Sequence, residues 1–217
     1  MSDHSLPLLV LGAGGHAKVL IEIFQLNQQK VIGIITPDLH IEDIFEGLNI
    51  IGDDTAIDKY DPTKILLING LGAIPGNRQR WNLSDVMRKK GFKFDNVIHP
   101  NSIIAKDVIL AEGVQLMAGS IIQPGCKIGQ DSIINTGVKI DHDSSIGFKC
   151  HIAPGVTLSG GVHIGNNVHI GTGVQVIQGI QVGDHSVIAS GTTVYKDVPS
   201  GVMVRQNAKI VMEKIKG

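Results

Sequence analysis

Between residues 97 and 198 the chain repeats every six residues, seventeen times over, with no residue inserted or lost. In frame the run opens VIHPNS, IIAKDV, ILAEGV and closes QVGDHS, VIASGT, TVYKDV. The second position is Ile, Leu or Val in every hexad, and the sixth is Ser, Thr, Cys, Val or a single Ile. All fifteen glycines of the stretch, with Pro100, Pro124 and Pro154, fall at positions three to five. A short period with one fixed apolar slot and confined turn formers specifies a β-helix built from hexapeptides. Each hexad predicts one short strand and one corner, with positions two and six pointing inward. Three hexads close a triangular coil, so residues eighteen apart stack at a spacing of about 4.8 Å and the run makes between five and six coils.

The frame sorts the reactive residues. Cys126 and Cys150 sit at sixth positions and are expected as small buried hydrophobes rather than a disulfide or a metal site. Val97, Gln115, Ile133, His151, His169 and Val187 are first positions eighteen apart, a single column on one face. Apolar residues and two stacked histidines on an outward column predict an interface, read here as the border of a subunit contact and an acyl-donor groove; a semi-polar solvent face is the alternative. The corner Asp141-His142-Asp143 is unusual. His142 is at a fourth position, facing outward, and Asp143 beside it raises its basicity, which suits removal of a proton from an amine or hydroxyl. The competing reading is a solvated corner with incidental charges.

The first ninety residues alternate. An apolar strand at 8–11 leads through Gly12-Ala13-Gly14-Gly15-His16-Ala17 into an apolar-periodic helix ending near Leu26. A strand at 31–35 runs into Thr36-Pro37-Asp38, another is expected at 65–68 before Asn69-Gly70-Leu71-Gly72, and a helix at about 77–90 ends at Gly91. The pattern predicts a small parallel α/β unit. Gly12, Gly14 and Ala17 fit G-x-G-x-x-G/A, in which backbone N–H groups and a helix N-terminus approach a phosphate; Asp38 is placed for a ribose hydroxyl. Ninety residues make only half of a dinucleotide domain, so a nucleotide or nucleotide-sugar site is favoured over an NAD-dependent oxidoreductase. A turn needed only to pack strand on helix is the other possibility. The expected organisation is 1–92 α/β nucleotide-sugar-binding domain, 93–204 β-helix, and 205–217 a C-terminal tail. The formal net charge of −1 gives no electrostatic case for nucleic acid or a membrane surface. No apolar run approaches the ~20 residues of a membrane span, and with no signal-like N-terminus a cytoplasmic location is expected.

The glycine turn, Ile134-Asn135-Thr136-Gly137, Asp141-His142-Asp143 and the hexad run together resemble the bacterial hexapeptide-repeat sugar acyltransferases. These include sialic acid O-acetyltransferases, the UDP-4-amino-sugar N-acetyltransferases and GDP-perosamine N-acetyltransferase. The resemblance implies a left-handed β-helix, acetyl-CoA as donor, a nucleotide-sugar acceptor, no metal, and a homotrimer with active sites between subunits. It implies His142 as base and Asp143 as its acidic partner. It puts His151 near the acetyl thioester, Thr172 and Ser190 along the pantetheine arm, and Gly14, Gly15 and His16 at the nucleotide-sugar. The favoured activity is N-acetylation of a 4-amino-4,6-dideoxy sugar linked to a nucleotide, UDP first, for surface-glycan synthesis; O-acetylation of sialic acid is the alternative. Two departures from the family stand out: a lone acid, Asp38, after the second strand, and Arg205-Gln206-Asn207-Ala208-Lys209 where the family ends Gly-Asn-Pro-Ala-Lys. A zinc-dependent β-helix hydratase is remote, because it needs a histidine pair five apart with a third about thirty-six residues upstream. Here His163 and His169 are six apart, and Lys127 and Ile133 stand upstream.

Overall fold

The computed structural model describes residues 6–38 and 43–206. The α/β unit is built on β1 (Leu8–Leu11), whose four residues are all apolar and all buried, as a strand covered on both faces must be. Parallel neighbours flank it, β2 (Val31–Ile35) on one side and β5 (Leu66–Asn69) on the other. Two strands were not legible in the sequence: β3 (Ile44–Phe45) and β4 (Leu48–Gly52) form an antiparallel hairpin, and β4 adds parallel to β2. The sheet order is β3-β4-β2-β1-β5. The hairpin turns on Glu46 and Gly47, both at positive φ (49° and 79°), the geometry a two-residue turn needs to match strand twist. Two helices complete the unit, α1 (Gly15–Leu26) and α2 (Gln79–Lys89). The buried residues of α1, Ala17, Leu20, Ile21, Ile23 and Phe24, recur at helical spacing.

The hexads form a prism of three parallel sheets with seven, six and five strands, each strand two residues long. Register is eighteen from Val97 to Val194: Ile133 pairs with His151 on the first face, Ile121 with Lys139 on the second, and Lys127 with Ser145 on the third. Second-position aliphatics fill one continuous core with sixth-position residues such as Val138, Val156 and Val174. Cys126 and Cys150 are buried in it as free thiols, and burial pushes the Cys150 thiol up to about 12. The prism also outlasts the strict repeat. The last coil is two residues shorter: Val198 bridges Val182, and Met203–Val204 pairs with Val187–Ile188, each sixteen residues apart.

The first-face column is an interface, as its composition predicted, but its partner is this chain's own α/β unit. Val97 and Ile133 are fully buried in one cluster with Leu8, Val10, Leu20, Phe24 and Trp81. That contact within the chain covers the start of the column, Val97, Gln115 and Ile133, whereas His151, His169 and Val187 farther along it are half-buried. The unit is also clamped at the edge where the third face turns into the first. There Asp131 and Lys149 occupy left-handed conformations (φ 61° and 55°) at the column position that Gly113 fills one coil earlier. That geometry is costly for a residue with a Cβ, and it aims both side chains at α2. Arg88 holds the Asp131 carboxylate through both terminal nitrogens (2.6 and 2.8 Å), bonds Glu112 at 3.0 Å and lies 4.7 Å over Phe94. Lys149 grips Asp85 at 2.6 and 2.8 Å. Since Asp131 is only 2% exposed, Arg88→Ala leaves a buried carboxylate uncompensated and is expected to cost about 3 kcal/mol in chemical denaturation. The double change Arg88→Leu with Asp131→Gly should recover most of that loss, because it removes both charges and the left-handed Asp.

Candidate active site

The corner between the second and third faces carries His142. Its Nδ1 lies 2.9 Å from Asp143 Oδ2, and its backbone N–H donates to Asp141 Oδ1 at 2.8 Å. Asp143 is held at φ 57°, in a column where Gly125 and Gly161 stand one coil before and after; aspartate is among the few residues that tolerate that region. The imidazole lies across Gly160, where an added Cβ would come within 2.6 Å of Nε2. The hydrogen bond to Asp143, with the Asp141 charge behind it, raises the pKa of His142 above the usual histidine value. The geometry is that of an exposed, oriented base.

The corner between the first and second faces carries Thr136, Pro154, Thr172 and Ser190 at successive eighteen-residue steps. Backbone bonds such as Gly191 N–H to Thr172 O (2.9 Å) bind the ladder together. The side chains of Thr172 and Ser190 are exposed, leaving a small polar rail along the edge. At its start Asn135 Oδ1 accepts from Thr136 N–H (2.7 Å), which turns its amide nitrogen toward His151 Nε2 at 3.2 Å. His151 meets His169 edge-on with ring centroids 4.8 Å apart. Burial first, then the neighbouring His169, His16 and Arg80, pull its pKa down to about 3. The ring is therefore a neutral, packed group beneath loop 73–78, where a cavity of about 260 Å³ is lined by Arg78, Trp81, His151, His169 and His185. A groove of about 670 Å³ on the third face beside His163 and Asp184 holds none of the residues expected to act in catalysis or to bind donor or acceptor.

The glycine turn separates into structural and unexplained positions. Gly12 has φ 94° with the Leu71 side chain 2.7 Å from where a Cβ would stand, and at Gly70 a Cβ would lie 2.8 Å from the Leu11 carbonyl oxygen. Both positions need glycine for packing. Gly14 and Gly15 do not: neither has positive φ, and a Cβ on either would meet nothing within 4 Å. Their surface is open at the N-terminus of α1, where free N–H groups suit an anion. Asp38 is exposed beyond β2, its N–H bonded to Thr36 Oγ1 at 3.3 Å. His16 is half-buried, and its Nε2 is taken by Gln115 Oε1 at 2.7 Å, so it is a strut between the two units as well as a neighbour of the turn.

The structure thus joins His142 with Asp143, Thr172 with Ser190, and His16 with the first face near His151. It does not join His142 with His151. Those two occupy an edge and the face opposite it, with on the order of 15 Å of packed core between, for sides of six residues at about 3.3 Å each. Residues the sequence did not single out for the site include Arg80 and Gly160, and Gln115 enters there only as a member of the first-face column. Gln115 and Arg80 are buried polar groups far apart in the chain, and no local signal marks them. Of the tail motif, Arg205 and Gln206 are described and 207–209 lie outside the described residues. Among the described residues no group of three or more His, Cys, Asp or Glu is arranged to hold a metal ion.

The neutral interface histidines set a pH dependence. Burial, then the Arg80 charge, lowers the His16 pKa to about 4, so between about pH 6.5 and 4 the unfolded chain binds protons that the folded chain refuses. Stability therefore rises with pH across that window. His142 runs the other way, its stabilisation being present below pH 6.5 and lost above its raised value, but it is fully exposed. At pH 5 the loss relative to pH 7.5 is expected to be about 2 kcal/mol from His16 alone, with His151 adding to it, as read by denaturation midpoints.

Comparison with known proteins supplies the family. The PglD N-terminal domain family matches residues 7–87. The bacterial transferase hexapeptide family (six repeats) matches 107–142, 143–178 and 161–196. Among curated proteins no sequence matches. Among solved structures, a histidine-to-asparagine mutant of perosamine N-acetyltransferase from Caulobacter crescentus, in complex with CoA and GDP-perosamine, is 34% identical. The match covers 95% of this chain and 97% of that one, with a TM-score of 0.84. The acetyltransferase domain of PglB from Neisseria gonorrhoeae, in complex with acetyl coenzyme A, is 30% identical over 93% of this chain and 96% of that one, with a TM-score of 0.83. WeeI from Acinetobacter baumannii shares the fold at 22% identity, a TM-score of 0.74, and coverage of 94% and 98%. An α/β unit of the PglD type on a hexapeptide prism, with this likeness over nearly the whole chain, makes the protein an acyltransferase of the hexapeptide-repeat sugar acetyltransferase family.

Proposed function

We propose that the protein transfers the acetyl group of acetyl-CoA to the 4-amino group of a nucleotide-linked 4-amino-4,6-dideoxy sugar. The observation that carries this reading is the His142–Asp143 pair, because a left-handed aspartate in a column of glycines is retained at a conformational cost and its carboxylate orients one exposed imidazole. The free amine is the nucleophile. His142 Nε2 removes its proton as the new C–N bond forms at the thioester carbonyl, and Asp143 stabilises the imidazolium. The thiolate of CoA leaves and takes up that proton. Both cysteines are buried in the prism, so the direct route is favoured over a covalent acetyl-cysteine. N-acetylation is preferred to O-acetylation because the Caulobacter relative, one third identical, is an N-acetyltransferase in complex with GDP-perosamine. That same likeness removes the reason to put UDP ahead of GDP.

The donor suits the rail of Thr172 and Ser190, which leads down to Asn135 and His151; the small side chains and exposed backbone of that edge leave room for an extended chain. Gly14 and Gly15, bare at a helix N-terminus, suit the phosphates of the acceptor, with Asp38 facing its ribose. Because His142 stands on the edge opposite His151, an acetyl group held on the rail meets His142 only from a second copy of the chain. This supports a homotrimer with each active site shared by two subunits. No helix among the described residues is long and apolar enough to cross a membrane.

The test is thiol release from acetyl-CoA with UDP- and GDP-linked 4-amino sugars and with sialic acid; release with sialic acid alone would overturn the N-acetyl reading. His142→Ala is expected to lower kcat by 100-fold or more, in the range of about 10²–10⁴ for general-base catalysis, with KM values little changed. Asp143→Asn should lower kcat and move the acid limb of the kcat/KM profile to lower pH, since it removes the bond that raises the His142 pKa. Gly160→Ala, at ordinary backbone geometry, should lower kcat by displacing the imidazole while leaving the denaturation midpoint nearly unchanged.

A further inference from the structure

The interface between the α/β unit and the prism contains a chain of polar groups whose polarity is fixed at every link. Arg80 of α2, 2% exposed, donates from Nη1 to the backbone oxygens of Asn69 (2.9 Å) and Leu71. The Asn69 amide donates back to Arg80 O (2.8 Å) and to Ser84 Oγ (2.9 Å). The Asn69 carbonyl oxygen also accepts from Gln115 Nε2 at 2.9 Å. A carbonyl can only accept, so the Gln115 amide must turn its NH₂ group toward Asn69. Its oxygen then faces His16 Nε2 at 2.7 Å, and because an amide oxygen also only accepts, Nε2 must carry the proton.

A second proton on Nδ1 would create a cation. The groups that face the ring are Arg80 from α2, Gln115 from the first face and, further off, His151 from the same face. None supplies negative charge, and burial and the guanidinium hold the ring neutral at physiological pH. Nδ1 has no hydrogen-bond partner among the described residues and is not among the buried atoms left without one.

We infer that Gln115 is a positioning residue that locks His16 in its neutral Nε2–H form, so that Nδ1 accepts a hydrogen bond from an O–H or N–H of the acceptor substrate. The inference rests on the reading that the glycine turn receives a nucleotide-linked sugar. It divides the work of that turn by chemistry: the open N–H groups at Gly14 and Gly15 favour an anion, while the side chain that follows them favours a donor and offers a phosphate no charge. His16 becomes a specificity-determining residue, tuned from the prism side rather than from its own domain.

Nitrogen-15 NMR of histidine-labelled protein tests this directly. The expected spectrum shows His16 as the neutral Nε2–H tautomer from pH 8 down to pH 5.5, and saturation with the nucleotide sugar that the protein acetylates moves the Nδ1 resonance upfield with Nε2 little changed. Gln115→Glu places a carboxylate on Nε2 and favours the cation, which has no acceptor. KM for the nucleotide sugar should then rise about tenfold at pH 6.5, the loss of roughly one hydrogen bond, and recover as pH is raised, with KM for acetyl-CoA unchanged. A purely structural role for Gln115 predicts no such recovery. An Nδ1–H tautomer, a cationic ring at pH 7, an Nδ1 resonance that ignores the nucleotide sugar, or a pH-independent KM in the variant would each overturn the inference. If no nucleotide sugar is acetylated, the functional reading fails, while the tautomer in the free protein still decides the Gln115 lock.

Discussion

Everything in this molecule hangs on the eighteen-residue ladder. Each prism strand is only two residues long, so no strand has enough pairing to hold itself, and stability comes from the same two residues finding the same partners one coil above and one below. One inserted residue would rotate all later side chains by a position, sending aliphatics outward and glycines inward. The unbroken frame keeps each strand on its partner through Val194. It also gives the protein straight columns, which a less regular fold would not provide.

Those columns are then used unequally. Where the corner position is glycine the turn is made cheaply. Asp131, Lys149, Asn167, His185 and Asp143 hold the same left-handed backbone with a side chain attached, and at three of them what the side chain reaches is plain. Asp131 and Lys149 reach α2 and fasten the α/β unit to the first face. Asp143 orients His142 on the edge opposite that face. The same device thus serves attachment at one edge and chemistry at another, and the body of the prism keeps the two apart.

Much of this was legible from one sequence because the repeat is a coordinate system. It placed Cys126 and Cys150 inside, His142 on an exposed corner, and His151 above His169, and the structure agrees on each. The hairpin at 44–52 was missed because its strands are short and its turn, Glu46-Gly47, lacks the usual Asn-Gly or Asp-Gly signal. The cover over Val97, Gln115 and Ile133 is not legible in the sequence for a different reason. An apolar column announces that something covers it, but composition does not distinguish a second subunit from a domain earlier in the same chain.

The sequence by itself determined the prism, its phase, the side each residue faces, and the Asp-His-Asp corner, because these follow from periodicity and nearest-neighbour sterics. Only the tertiary structure decided how the α/β unit sits on the prism and what that does to its polar groups. Arg80, Asn69, Gln115 and His16 are separated by up to 99 residues between His16 and Gln115, and each alone is an unremarkable polar side chain. Their meaning comes from burial, which removes water as a partner and gives the direction of each hydrogen bond among them its consequence. Hydrogen-bond direction and protonation state in such a network belong to the group as a whole, and no pattern along the chain encodes them.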